Sequence, residues 1–221
     1  MILKNKNILI TGAGKGIGRA CVNDFISKGG YVFALINQKK DNSKFKKHIN
    51  LKIYNGNVNN QKIINKIFEE SKKINKPINC LVNNAGLRFR KNFLKIRKDE
   101  LRNVFETNFF SPLVIMQIFS KFLIKNKMKG SLINMTSIVG KIGFDGLTGY
   151  ASSKGALTSL TKSFAAEMSK YGINANNISP GFIKTSFYEK FKKDKKKLYN
   201  WTISRIPQKR WGEPREIAEL A

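Results

Sequence analysis

The chain has 221 residues, 41% of them hydrophobic, which suits one domain with a sizeable core rather than two. Its formal charge of +28 is spread along nearly the whole length without interleaved aromatics, so it reads as solvated surface and nucleic acid is not the expected partner. One histidine, two cysteines and no CxxC pair leave no metal site, and Cys21 and Cys80, in apolar patterns, read as buried thiols of a reducing compartment.

Met1 to Lys6 carries no long apolar leader and leads straight into a first strand at 6–11 (KNILIT). No stretch approaches the roughly 20 apolar residues of a membrane helix, so a soluble, cytoplasmic protein is expected. The strand ends in Thr11-Gly12-Ala13-Gly14-Lys15-Gly16-Ile17-Gly18, followed by a helical apolar pattern. Strand, glycine turn and helix together suggest a phosphate site: Gly12 for the turn, Gly16 for close backbone approach, Gly18 for helix packing. A second strand, 31–36 (YVFALI), ends at Asn37 with no acid before Asp41. Lys15 and Lys39 then stand where a ribose 2′-phosphate would lie. That favours NADP(H); Asp41 swinging in would keep NAD(H) open.

A third strand at 51–54 precedes Asn57-Val58, where an adenine ring would be held. A helix at 60–74 and a strand at 78–82 follow, the latter running into Asn83-Asn84-Ala85-Gly86. A long helix at 99–124, interrupted at Ser111-Pro112, carries Asn108. A strand at 132–135 leads to Thr136-Ser137, a helix at 149–171 bears Tyr150 and Lys154, and a strand at 173–178 ends in Ser179-Pro180-Gly181-Phe182-Ile183-Lys184-Thr185. This alternation predicts an α/β fold with a doubly wound parallel sheet, in which ligands lie beyond the carboxyl ends of the strands. The glycine turn, the Asn-rich turn, Ser137 and the Pro-Gly segment all fall at those ends.

Tyr150 and Lys154 lie one helical turn apart on one face. A free phenol titrates near ~10, and a neighbouring ammonium favours the phenolate, bringing Tyr150 toward useful acid–base chemistry. Such a pair alone is usually plain surface; the segments around it give it weight.

Those segments, TGAGKGIG, NNAG, Asn108, Ser137, YASSK and SPG, resemble the short-chain dehydrogenase/reductase family over essentially the whole chain, closest in flavour to its 3-oxoacyl-carrier-protein reductases. Ser137 stands 13 positions before Tyr150, at the family spacing. The resemblance implies an NAD(P)(H)-dependent oxidoreductase that reduces a ketone to a secondary alcohol. Tyr150 would be the general acid, Ser137 the partner of the carbonyl oxygen, Lys154 the holder of the nicotinamide ribose, and Asn108 the anchor of a relay water. Gly12, Lys15, Gly16, Ile17, Gly18, Asn37, Asn57, Val58, Asn84, Ala85, Gly86, Pro180, Gly181, Ile183 and Thr185 would line the cofactor, together with Tyr150 and Lys154. Asn57 stands where the family often has aspartate. The chain stops at Ala221, soon after a helix begun at Glu213-Pro214, so it looks truncated before the family's last strand. The last strand present would then be an exposed edge, and the family's homo-oligomer comes into question.

The expected substrate is a small-molecule or carrier-bound carbonyl compound. The family's lid would span Ser186 to Arg205, where Lys190, Lys192, Lys193 and Lys195 to Lys197 either steer an anion or form a solvated face. Arg88 and Arg90, with Arg210-Trp211-Gly212-Glu213-Pro214, look more like the family's sugar-acid dehydrogenases, a guanidinium holding a carboxylate. A different class, a non-catalytic nucleotide sensor or basic nucleic-acid binder, would need the glycine turn but not the Ser137, Tyr150, Lys154 and Asn108 set.

Overall fold

The computed structural model describes residues 2–38, 41, 45–186 and 188–221. One parallel sheet of six strands has the order β3-β2-β1-β4-β5-β6. The strands are β1 (Asn7–Thr11), β2 (Tyr31–Ile36), β3 (Leu51–Asn55), β4 (Cys80–Asn83), β5 (Gly130–Met135) and β6 (Ile173–Ile178). Between them run α1 (Gly16–Ser27), α2 (Gln61–Lys73), α3 (Lys98–Phe105), α4 (Ser111–Lys125) and α5 (Thr148–Met168). After β6 come α6 (Tyr188–Asp194), α7 (Lys196–Arg205) and α8 (Pro214–Leu220).

The central strands are apolar on both sides because helices cover both sheet faces. Alternate residues divide between two cores. Leu9, Phe33 and Leu35 meet Ile64 and Phe68 of α2 and Ile115 and Phe119 of α4. Ile8, Ile10, Val32 and Ala34 meet Cys21, Val22 and Phe25 of α1, with Ala218 of α8 closing that layer. Cys21 is buried; Cys80, read as buried, is only half covered at the start of β4. Among the described strands β6 pairs with β5 alone and forms an edge. The winding reverses between β1 and β4, the point at which sheets of this kind bind ligands beyond the strand ends.

The expected interruption at Ser111-Pro112 takes a different form. Residues 98–125 are continuously helical, with a π turn at Glu106–Phe110 just ahead of the proline. Pro112 has no N–H for the carbonyl of Asn108, so the α-helical ladder cannot close there, and the Ser111 N–H reaches back to Glu106. Contrary to the reading of the sequence, this 28-residue run is long and apolar enough to cross a membrane, but 44% of its most apolar window is buried and Phe119 and Leu123 lie in the first core.

Phe119 has no solvent exposure and packs beside Phe68 and Gly130. Truncating Phe119→Ala should lower unfolding stability by about 3–5 kcal/mol, read from the midpoint of urea denaturation.

Candidate functional site

The glycine turn after β1 is built against the loop after β4. Gly12 (φ 63°) and Gly16 (φ 53°) occupy the left-handed region that side chains disfavour. A Cβ at Gly12 would stand 2.7 Å from the Ala85 Cα, and one at Gly18 would collide with the Gly12 carbonyl oxygen. The Thr11 hydroxyl accepts the backbone N–H groups of Asn84 and Ala85, both at 3.1 Å. In return the Asn84 side-chain amide donates to the carbonyls of Thr11 (3.1 Å) and Gly12 (3.0 Å). Thr11 was not singled out in the sequence; a hydroxyl ending a buried strand ahead of a glycine turn was the available signal.

Helix α1 opens at this turn with exposed Lys15 at its N-cap, no side-chain cap bond and no acid in its first turn. The N–H groups and positive end of the dipole there suit a phosphate. Thr185, from the segment after β6, stands above, its Cγ2 3.1 Å from where a Gly16 Cβ would be. Ile17 is half-buried against the second core.

Beyond β5 the catalytic candidates converge. Ser137 caps the short 3-10 turn Ile138–Gly140, and the Ile138 N–H bonds the Pro180 carbonyl at 3.2 Å, drawing the Pro-Gly segment alongside. Tyr150 lies close enough to Ser137 for the serine hydroxyl to act on its phenol. Lys154 is 3% exposed; its Nζ donates to the Met135 carbonyl at 2.8 Å and lies 6.0 Å from the Tyr150 ring centroid. Buried Asn108, on the π turn, clasps the backbone of Leu87: Oδ1 accepts its N–H at 2.7 Å and Nδ2 donates to its carbonyl at 3.0 Å. Nδ2 also donates to the Ser153 hydroxyl at 3.0 Å, tying the π turn to α5. A Cβ on Gly86 would be 3.4 Å from Asn108 Oδ1 and 3.5 Å from Lys154 Nζ. Ser137, Tyr150, Lys154, Asn108 and the Asn84-Ala85-Gly86 turn thus lie together beyond the strand ends.

The electrostatics differ from the expectation drawn from the Tyr/Lys spacing. Burial pushes the Tyr150 phenol up from its ordinary value; the nearby Ser137 hydroxyl and the charge of Arg88 pull it down without reversing this. Lys154 is itself pushed down to about 8 by burial. Arg88 was weighed only as a substrate residue, and its closeness to the phenol was missed.

The residues expected at the adenosine end are less closely gathered. Asn37 and Asn57 lie exposed after β2 and β3, with Val58 packing on the first core. Asn57 Oδ1 already accepts the Asn59 N–H at 2.9 Å, leaving its amide N–H groups for a ring. Lys39 lies outside the described residues. Asp41 is buried, and its carboxylate oxygen is 2.7 Å from where a Gly14 Cβ would be.

The segment after β6 is pinned at both ends. Ile183 bridges Gly212, and Trp211, 1% exposed, donates its indole N–H to the Thr202 hydroxyl at 2.8 Å. Rings of Phe182, Tyr188, Phe191 and Tyr199 surround that indole at 5.2–5.8 Å between centroids. Lys190, Lys192, Lys193 and Lys195 to Lys197 are exposed. Between α7 and the loops after β5 and β6 lies a cavity of about 490 Å³ walled by Ile138, Phe144, Phe182 and Trp201. Among the described residues no three His, Cys, Asp or Glu cluster as a metal would require.

This fold has known counterparts. The short chain dehydrogenase family profile matches residues 6–196, and the chain belongs to that family. It is 30% identical to the 5-keto-D-gluconate 5-reductase of Escherichia coli K12, covering 99% of this chain and 87% of that protein. It is 32% identical to the 3-oxoacyl-[acyl-carrier-protein] reductase of Thermotoga maritima, covering 100% and 90%. Among solved structures, ElxO with bound NADP superimposes with a TM-score of 0.89 at 27% identity, covering 97% of this chain and 88% of that one. A 4-hydroxyisoleucine dehydrogenase complexed with NADH gives 0.86 at 30% identity, with the same coverage of 97% and 88%. The chain is accordingly an oxidoreductase of that family, with a nucleotide-binding Rossmann fold.

The burial of Lys154 has a measurable consequence. Its folded pKa of about 8 lies below the ordinary 10.5, so between those values the unfolded chain binds the extra proton. Stability from this group therefore rises as pH climbs from about 8 to about 10.5 and is lowest below about 8. The melting temperature of the wild type relative to Lys154→Met should climb across that window; a flat difference would show the ammonium is not buried in solution.

Proposed function

We propose that this chain reduces a ketone to a secondary alcohol, and oxidises that alcohol in reverse, using a nicotinamide dinucleotide. The observation that carries the reading is Tyr150 brought beside Ser137 with buried Lys154 6.0 Å from its ring, near the Asn84-Ala85-Gly86 turn that packs on the glycine turn. Ser137 holds the carbonyl oxygen and stabilises the charge gathering on it. Tyr150 gives its proton to that oxygen in reduction and takes it back in oxidation. Its raised pKa keeps the phenol protonated near neutrality, which suits the reductive direction. Lys154 holds the ribose beside the reacting centre, and Asn108 carries a relay water at the π turn, whose Pro112 withholds the usual N–H from the Asn108 carbonyl.

When bound, the dinucleotide supplies the hydride. The cradle fits it: Lys15, Gly16 and Ile17 would take the pyrophosphate at the start of α1, with Gly12 and Gly18 shaping the turn. Asn84, Ala85 and Gly86 would border the central ribose, Asn37, Asn57 and Val58 the adenosine, and Pro180, Gly181, Ile183 and Thr185 the nicotinamide end. Exposed Lys15 favours the 2′-phosphate of NADP(H). A second reading, NAD(H), draws on the Asp41 carboxylate packed over Gly14, which would repel that phosphate and accept a ribose hydroxyl. For the ketone, likeness to the 3-oxoacyl-carrier reductases supports a β-ketoacyl compound, while Arg88 and Arg90 favour a sugar acid.

With methyl acetoacetate as a generic ketone, NADPH or NADH oxidation should fall at least about 100-fold in Tyr150→Phe. Salt-sensitive DNA retention without turnover of any carbonyl would instead support a binding protein. Asp41→Ala should raise the NADPH:NADH ratio of kcat/KM and Lys15→Ala should lower it; ratios unmoved by both would place the adenosine ribose elsewhere.

A further inference from the structure

We propose that Ser153 is a positioning residue of the proton path: it fixes the Asn108 side chain and, through it, the π turn that carries the relay water. The inference rests on the ketone-reductase reading and adds to it a residue that acts through Asn108 rather than on the ketone.

Ser153 stands on α5 between Tyr150 and Lys154, and neither it nor Asn108 has any solvent exposure. Its hydroxyl has one proton, which it donates to the Tyr150 carbonyl at 2.7 Å, one turn back on the helix. The oxygen is then left to accept, and it accepts Asn108 Nδ2 at 3.0 Å. The second Nδ2 proton goes to the Leu87 carbonyl at 3.0 Å, and Oδ1 accepts the Leu87 N–H at 2.7 Å. An amide turned end for end would set Oδ1 against two acceptor oxygens and its NH2 group against the Leu87 N–H. Ser153 and Leu87 together therefore select a single orientation of Asn108.

That orientation bears on the reacting centre. The point where a Gly86 Cβ would stand is 3.4 Å from Asn108 Oδ1 and 3.5 Å from Lys154 Nζ, so the amide and the ammonium border one small space. With both amide protons and Oδ1 engaged by protein, Asn108 has its main-chain carbonyl for the relay water, the group to which Pro112 brings no N–H. A π turn breaks the regular α-helical ladder, so the hold on the side chain decides where that carbonyl points. The bond to Ser153 fastens the turn to α5, the helix that carries both Tyr150 and Lys154, and so keeps water, ammonium and phenol at one spacing. In reduction the phenol gives its proton to the ketone oxygen, and the phenolate left behind takes one back from solvent along this path. In oxidation the proton runs outward.

The first readout needs no cofactor: hydrogen–deuterium exchange of the Leu87 amide, whose N–H Asn108 Oδ1 holds. Ser153→Ala suits a helix but strands one Nδ2 proton, and should speed that exchange about tenfold. Ser120→Ala removes a buried hydroxyl bonded to the Met116 carbonyl at 2.8 Å, roughly 18 Å along the helix from Asn108, and should leave the Leu87 rate unchanged. The second readout is kinetic, with NADPH or NADH and whichever of methyl acetoacetate, acetoacetate and 4-oxopentanoate turns over fastest. Ser153→Ala should lower kcat about tenfold with KM nearly unchanged. The solvent-deuterium isotope effect on kcat should rise, and that of cofactor deuterated at its transferable hydrogen should not, because proton return has slowed rather than hydride transfer. In an Asn108→Ala background the same change should cost less than about twofold more, since the path through Asn108 is already lost. An unmoved Leu87 rate, an equal rise in Ser120→Ala, an unmoved solvent isotope effect, or a full tenfold loss on top of Asn108→Ala overturns the proposal and leaves the reductase standing. No turnover of any of the three ketones, by the wild type with either cofactor, overturns both.

Discussion

The site depends on a positive charge kept out of water. Lys154 places its ammonium under the end of the sheet, where the Met135 carbonyl supplies a dipole but no opposite charge. Such burial is costly, and the lowered pKa of the group reports that cost. The side chain holds its place because everything around it is tied. Thr158 and Thr161 fold their hydroxyls back on α5, and Asn134 of β5 bonds both Thr161 and Asn83 of β4. Thr136 bonds the Ile178 carbonyl and the Ser179 hydroxyl. Helix α5 is thereby fixed in register against β4, β5 and β6, and that register brings Tyr150 to Ser137.

Much of this was legible because it depends on local pattern. YVFALI could be read as β2 residue for residue, since a strand buried on both faces is a continuous apolar run. The glycine turn, the Asn-rich turn and the Tyr/Lys spacing likewise announce themselves by residue type. What could not be read depends on partners distant in the chain. Spacing showed that Tyr150 and Lys154 are neighbours, but the direction of the phenol's shift follows from burial by residues elsewhere. Pro112 marked an irregular helix, yet the π turn also reflects Asn108 reaching Leu87 and Ser153. Asp41, left open in the sequence as an acid that could swing in, packs against Gly14, a contact that spacing does not show.

The segment after β6 shows the same division. Its sequence is dominated by lysine, and charge was the property read from it. The structure turns the lysines outward and the aromatics inward around Trp211, with Phe191 reaching Arg88. The apolar inner face was hidden because its residues come from three separate pieces of chain, Phe182, the pair of helices α6 and α7, and Trp211.

The crowding at the glycine turn changes what its glycines can be taken to mean. Added bulk at Gly12 meets the Ala85 backbone and at Gly18 the Gly12 carbonyl, whether or not a ligand is bound. Heredity would therefore retain both in a descendant that had lost all affinity for dinucleotides, simply to let the sheet and α1 dock. Exposed Lys15 is under no such steric obligation. A lineage drifting from catalysis to scaffolding would shed that lysine and the Tyr150 hydroxyl first, and would still display the glycines that usually advertise the enzyme.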